Sequence, residues 1–169
     1  MKKIIALLMA VLFCTVAAWA SEGSPQIGSM APDLHLTSIT GAPYDLSSAK
    51  GKAVILSFFT TWSSSCLEQL KFLSTLNEKH PGLDVIAVSL DNKSSLVQSF
   101  LRKNDLNITA LIDKKHKYLN DFHILIIPTA FLIDSTGVLR NIYVDFDETI
   151  KESITADVSS LLSPKKSVE

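Results

Sequence analysis

The hydrophobic positions of the chain fall into strands and helices that alternate. Continuous apolar runs at 53–59 and 83–90 are typical of strands that are buried on both faces of a sheet. After each run, apolar residues recur at helical spacing, first over 67–76 and then over 94–103. The later predicted elements are a strand at 108–112, a helix at 114–122, a strand at 129–134 and a helix at 147–162. This alternation predicts parallel strand pairing with helices on the sheet faces.

Two hairpins flank this α/β pattern. Short alternating segments at 34–36 and 44–46 enclose the turn residues 40–43 (TGAP), which predicts an N-terminal β-hairpin. Near the other end, the turn residues 135–137 (STG) lead into a returning strand at 138–144. We therefore expect an α/β fold with a central mixed sheet, flanking helices and an N-terminal β-hairpin extension.

The first twenty residues have the order of a secretory signal peptide. Lys2 and Lys3 precede an apolar run over 4–16, and small residues stand at Ala18 and Ala20. The run is short for a stable membrane span, so we expect export to a bacterial periplasm; an uncleaved membrane anchor is the alternative. The predicted organisation is a signal peptide at 1–20, a linker at 21–30, one domain at 31–163 and a polar tail at 164–169.

Composition narrows the function classes. Of 169 residues, 47% are hydrophobic and 20% charged, which excludes a disordered chain. The net charge of −1 shows no basic excess, so we expect no nucleic-acid partner. We also expect no cofactor, because no phosphate-binding loop or dinucleotide fingerprint is present. A metal site is not expected either, since the histidines show no ligand spacing; they are His35, His80, His116 and His123.

The cysteines limit the possible sulfur chemistry. Cys14 lies in the predicted signal, so Cys66 is the only thiol of the exported chain and cannot form an internal disulfide. Serines precede Cys66 at a predicted helix start, where unpaired N–H groups favour a thiolate. If Ser63 caps the helix, Cys66 is its third residue; if Ser65 caps it, Glu68 completes a capping box. A lone cysteine is also commonly a small buried core residue.

The segment 58–66 (FFTTWSSSC) resembles the active-site segment F-W-A-T-W-C-P-P-C of TlpA/ResA-type thioredoxin-like proteins. The resemblance covers residues 30–162 and implies a thioredoxin-like fold. Further matching segments are Ala31–Leu34 (the A-P-D-F opening), Gly51–Lys52 (G-K), Val88–Asp91 (V-S-x-D) and Ile127–Asp134 with Gly137 (x-P-T-T-F-L-I-D-x-x-G).

This resemblance also assigns roles at the site. Pro128 occupies the position of the cis-proline that faces the family's cysteine pair, which would expose the backbone of Ile127 to a partner chain. The family's first, attacking cysteine is Ser63 here, and the second is retained as Cys66. Gln69 stands where the family often has a glutamate. Dithiol exchange within one molecule is therefore excluded, because it needs two sulfur atoms.

The first hypothesis is a single-thiol redox protein with a degenerate active site. Cys66 would form a mixed disulfide with a partner protein, and Ser63 Oγ would donate a hydrogen bond to its sulfur. Trp62, Ile127 and Pro128 would form the apolar contact patch. Release would require a second thiol, from the substrate protein or an external reductant in the periplasm.

Two alternatives remain open. The loss of the first cysteine favours a non-catalytic binding or assembly module with a silent Cys66. The S-x-x-C pattern also resembles the T-x-x-C of peroxiredoxins, which suggests a one-cysteine peroxidase. That activity would require Arg140 or Arg102 to come close to Cys66 in the fold. Membrane contact is expected only if the N-terminal segment stays uncleaved.

Overall fold

A computed structural model describes residues 24–49 and 51–163 of the chain. The predicted signal peptide at 1–20 and the predicted tail at 164–169 lie outside the described residues. Among the residues that are described, no helix is long and apolar enough to cross a membrane.

The centre of the fold is a seven-stranded mixed sheet, whose strands are β1 (His35–Ser38), β2 (Pro43–Asp45), β3 (Ala53–Phe59), β4 (Leu83–Ser89), β5 (Thr109–Ile112), β6 (Thr129–Ile133) and β7 (Leu139–Val144). Their order in the sheet is β2-β1-β5-β4-β3-β6-β7. Strands β3, β4 and β5 are parallel neighbours, whereas β6 runs antiparallel to β3. The N-terminal hairpin of β1 and β2 extends the sheet beyond β5, as the sequence predicts.

The helices follow the predicted positions with one clear difference. The helix predicted at 114–122 is shorter, because Asp113 accepts the N–H groups of Lys117 and Tyr118 and His116 has a left-handed φ of 53°. Its first turn therefore begins only after His116. The described helices are α1 (Ser64–Lys79), α2 (Ser94–Lys103), α3 (Lys117–Asp121) and α4 (Glu148–Leu162), with a 3₁₀ turn at Leu46–Ala49.

Strand β3 lies in the middle of the core. All seven of its residues are buried, and alternate side chains enter two different hydrophobic clusters. Leu56 and Phe58 pack on the α3 side with Phe131, whereas Ile55 packs on the other side with Leu73 of α1. Burying each such large apolar side chain stabilises the fold by roughly 1.5–3 kcal/mol.

The second half of the predicted linker is fixed to the sheet edge. Gly28 N–H donates to the carbonyl of Leu139 at 2.8 Å, and Leu139 N–H donates to the carbonyl of Ser29 at 2.8 Å. Met30 forms an antiparallel bridge with Val138. The chain thus covers the beginning of β7 with its own backbone before it enters β1.

The turn between β6 and β7 is built around Asp134. Its Oδ1 accepts the N–H groups of Thr136 at 2.8 Å and Val138 at 3.0 Å, and its Oδ2 accepts Nε of Arg140 at 2.7 Å. Burial raises the pKa of Asp134, but the hydrogen bonds from Thr136, Val138 and Arg140 outweigh it and hold the pKa well below its ordinary value.

Asp134→Asn is expected to lower the free energy of unfolding by about 1–2 kcal/mol at pH 7, because the carboxylate's hydrogen bonds are weakened. A depressed folded pKa contributes stability that is present above the unfolded pKa of about 4 and is lost as pH falls below it. Urea unfolding should therefore show that Asp134→Asn loses less free energy of unfolding, relative to the unaltered protein, at pH 3 than at pH 7. The exposed Asp33→Asn is the control, and a difference independent of pH would contradict the prediction.

Candidate functional site

The candidate site lies where the parallel strands end. Phe59 of β3 pairs with Ser89 of β4, so both strands finish at the same edge of the sheet. From this edge the chain runs through residues 60–63 into α1. Strand β6 begins beside the same end of β3, because Thr129 pairs with Phe58. The carboxyl ends of parallel strands are where α/β folds usually place their sites.

Ser63 caps α1. Its backbone is extended (φ −91°, ψ 125°), and its Oγ accepts the N–H of Cys66 at 3.3 Å. Cys66 is therefore the third helical residue, which confirms one predicted cap position and shows that the alternative cap at Ser65 is wrong. Ser65 Oγ instead donates to Asp145 at 3.3 Å. Ser63 Oγ thus accepts a hydrogen bond from the backbone of Cys66, and the donation to the sulfur that the first hypothesis supposes is not among its hydrogen bonds.

Cys66 is a free cysteine with no exposed surface. It belongs to a hydrophobic cluster with Phe59, Leu70 and Val97, and the partly buried Ile127 packs against this cluster. An external molecule cannot touch the sulfur in this conformation. The sequence leaves accessibility open because a first-turn cysteine can face either the solvent or the sheet.

The predicted contact patch is only partly exposed. The Ile127–Pro128 peptide bond is cis, as the family resemblance predicts. Pro128 itself is buried and Ile127 half-buried, whereas Trp62 is 77% exposed. Pro128 also accepts the N–H of Asp145 through its carbonyl at 2.8 Å, which ties the proline to the end of β7. Trp62 therefore contributes most of the apolar surface among the predicted residues.

Two exposed apolar residues beside Pro128 were missed by the sequence analysis. Leu125 is 96% exposed and Ile126 is 52% exposed, although both are large and aliphatic. They belong to the segment between α3 and β6, outside any helix or strand. The available signal was a run of four aliphatic residues, 124–127, directly before a proline, in a segment with no periodic pattern.

Asp91 holds the loop that leads to Ser63. Its two carboxylate oxygens accept the N–H and the hydroxyl of Thr61, both at 2.9 Å. The same carboxylate accepts Ser89 Oγ at 2.9 Å, and that hydroxyl accepts the N–H of Asp91 at 3.0 Å. Asp91 therefore ties the loop to the end of β4, a role that sequence position alone does not reveal.

A buried polar pair lies one helical turn after Cys66. Ser57 Oγ of β3 donates to Gln69 Oε1 at 2.7 Å, and both residues are fully buried. Among the described residues Gln69 Nε2 has no hydrogen-bond partner. An uncharged amide suits this position, because a buried carboxylate would carry a larger desolvation cost.

Known proteins with a related sequence or fold are thiol–disulfide oxidoreductases and thioredoxin-like proteins. Residues 27–142 match the AhpC/TSA family. The chain is 32% identical to thiol-disulfide oxidoreductase ResA of Bacillus cereus over 121 residues, 70% of each chain. It is 30% identical over 156 residues to thioredoxin-like protein YneN of Bacillus subtilis, covering 85% of this chain and 91% of that one. A crystal structure described as thiol:disulfide interchange protein DsbE of Chlorobium tepidum superposes with a TM-score of 0.77 and 28% identity, covering 82% and 99%.

The chain belongs to the AhpC/TSA family. Within that family it is similar to the ResA-type thiol–disulfide oxidoreductases, and it has their thioredoxin-like fold. The predicted family and fold class are therefore confirmed.

The peroxidase alternative requires an arginine that the fold does not supply. Arg140 is bound to Asp134 beyond Ile133, which pairs with Val54 at the end of the sheet opposite Cys66. Arg102 lies in the last turn of α2, a helix that starts near the site edge and runs away from it. Neither arginine can assist chemistry at Cys66.

The histidines do not form a metal site in the described parts of the chain, where no group of three or more His, Cys, Asp or Glu residues could hold an ion. His35 instead pairs with Asp45 at 2.8 Å, and His116 Nε2 lies 2.8 Å from the carbonyl of Leu90.

Ser57→Ala and Gln69→Met are each expected to destabilise the fold by about 1–3 kcal/mol, because each leaves the other polar group buried without its partner. The double variant removes both polar groups, so it should be more stable than either single variant. Urea unfolding of the four proteins measures this coupling. Additive losses would show that the buried pair contributes no interaction energy.

Ser63→Cys is expected to form a disulfide with Cys66, because the two positions lie within one helical turn of each other and match the spacing of the family's two cysteines. The test is mild oxidation of this variant with Cys14→Ser as background, followed by thiol titration. Both thiols should disappear together in the intact monomer. The matched control Ser64→Cys should retain free thiol, and two free thiols in Ser63→Cys would contradict the geometry.

Proposed function

We propose that this protein is exported and works in thiol–disulfide pathways by binding partner polypeptides, without the two-cysteine exchange of its relatives. The observation that carries this proposal is the complete burial of Cys66, the only cysteine among the described residues. Export is supported by the signal-like order of residues 1–20. The thiol–disulfide context is supported by the similarity to ResA and DsbE.

The site lacks an accessible nucleophile. Exchange begins when an exposed thiolate attacks a partner's disulfide. The residue at that position is Ser63, and its oxygen is engaged as the cap of α1. Cys66 is packed among Phe59, Leu70 and Val97, an environment typical of inert structural cysteines.

The surface around the missing nucleophile nevertheless suits recognition. Trp62 is 77% exposed at the loop before α1, and Ile126 is 52% exposed beside Pro128. Asp91 holds the backbone of Thr61 next to Trp62, so the loop is presented in a fixed conformation. Exposed aromatic and aliphatic residues on a rigid frame are typical of protein-binding surfaces.

A second candidate is single-thiol exchange through Cys66. The observation that favours it is the place of Cys66 in the first turn of α1, at the positive end of the helix dipole. The loop at 60–63 would first have to open. The Cys66 thiolate would then attack a partner disulfide, form one S–S bond and release the partner's other sulfur as a thiolate.

Thiol reactivity and partner binding together separate the two candidates. The protein with Cys14→Ser is expected to react with Ellman's reagent about a hundredfold more slowly when native than in urea, because reaction requires local opening.

A carboxamidomethylated, permanently unfolded α-lactalbumin provides a partner without thiols. Cys66→Ala should bind it as tightly as the unaltered protein, whereas Trp62→Ala should bind it at least about tenfold more weakly.

The opposite results would support the second candidate. Native Cys66 would react as fast as the unfolded chain, and incubation with oxidised glutathione would produce a mixed disulfide that Cys66→Ala abolishes. Absence of any binding to the unfolded partner, combined with an unreactive thiol, would overturn the binding proposal.

A further inference from the structure

An uncharged groove runs beside the edge strand β7, and we call it the β7 groove. It has a volume of about 560 Å³. Leu125, Ile126 and Val144 are 96%, 52% and 47% exposed along it. Its lining contains no Asp, Glu, Lys or Arg, and its one histidine, His123, lies 3.2 Å through Nδ1 from Ser24 Oγ. The apolar side chains that line the groove are Pro25, Phe122, Leu125, Ile126, Phe131, Ile142 and Val144.

The backbone of β7 is open along this groove. Strand β7 is last in the sheet order, and the N–H of Asp145 donates to Pro128 on the inner side. Because antiparallel strands alternate their hydrogen-bonding direction, the backbone groups of Ile142 and Val144 point to the outer side. The N–H of Ile142 is taken by Asn141 Oδ1 at 2.8 Å, but Val144 offers both its N–H and its carbonyl.

The chain already shows that this edge accepts an added segment. Gly28 and Ser29 pair with both backbone groups of Leu139 at the beginning of β7. Ser24 and Pro25 of the same segment line one side of the groove, but among the described residues no backbone bond joins them to the part from Ile142 to Val144. An extended segment can bind there in the same way.

We propose that the β7 groove binds an extended segment of the partner polypeptide that carries an uncharged, apolar side chain. This inference rests on the proposed function and names the kind of sequence that the site selects. The partner's backbone pairs with Val144, and its apolar side chain enters the groove between Leu125 and Ile142. Specificity comes from the absence of charged lining residues, because a charged side chain would lose water without gaining a partner.

Two further observations favour a partner peptide as the occupant of the β7 groove. The groove is continuous with the predicted contact patch, since Val144 directly precedes Asp145, whose N–H binds Pro128. The uncovered edge is also short, running only from Ile142 to Val144. A stable dimer usually buries about 1,200–2,000 Å² in total, which a strand edge of this length does not supply. A transient peptide contact fits the edge better than a second copy of the chain.

The test uses two fluorescein-labelled ten-residue peptides of alternating Thr and Gln, with either Phe or Lys in the centre. Fluorescence anisotropy with the full-length protein is expected to show at least about tenfold tighter binding of the Phe peptide. Leu125→Ser should remove that preference. Val144→Pro should weaken both peptides, because proline removes the outward N–H while β7 keeps its bonds to β6. Leu96→Ser, at an exposed leucine on α2, is the matched control and should change nothing.

Three different outcomes would overturn the inference about the β7 groove. Equal binding of both peptides by all variants, with loss only in Trp62→Ala, would overturn the inference and leave the proposed function intact. No binding of either peptide would overturn both. A concentration-dependent dimer that disappears in Leu125→Ser would assign the groove to a second copy and overturn the inference. Thermal unfolding must confirm that Val144→Pro is folded; if it is not, Leu125→Ser alone decides.

Discussion

Strand β3 is bonded on both edges and covered on both faces, and this double constraint fixes the position of everything at the site. Its pairing with β4 and β6 places Phe59 at the sheet edge, and its buried side chains leave no freedom to slide by one residue. The loop that follows must turn into α1 at once. Asp91 and Ser63 hold that turn at its two ends, so the packing of the core fixes the geometry of the site.

The packing of α1 on the sheet also determines whether the sulfur of Cys66 is accessible. The helix that starts after β3 directs Cys66 into the hydrophobic cluster around Phe59, where the sulfur is packed in the core and has no exposed surface. In a two-cysteine relative, a buried second thiol is useful because the first one delivers the mixed disulfide to it. With Ser63 at the outer position, that delivery has no counterpart. The exposed apolar surface around Trp62 does not depend on the sulfur, because Asp91 holds the loop that carries it.

Sequence patterns were sufficient wherever burial was uniform or a motif was specific. The apolar run of β3, the helix at 94–103 and the cis bond before Pro128 all appear where they were expected. The cap of α1 could not be chosen between Ser63 and Ser65 from the sequence, because serine is a preferred cap at either position; in the fold Ser63 caps the helix and Ser65 donates to Asp145, which is distant in sequence. The exposure of Leu125 could not be predicted either, since hydrophobicity alone predicts burial and Leu125 lies in a segment outside any helix or strand.

The serine cap has a structural consequence. A hydroxyl is one of the preferred groups at a helix start, so the scaffold does not depend on a sulfur atom at position 63 for its integrity. Replacing sulfur by oxygen at this position removes the attacking thiol of the two-cysteine relatives, yet the helix start keeps its cap and the preceding loop keeps its bond to Asp91.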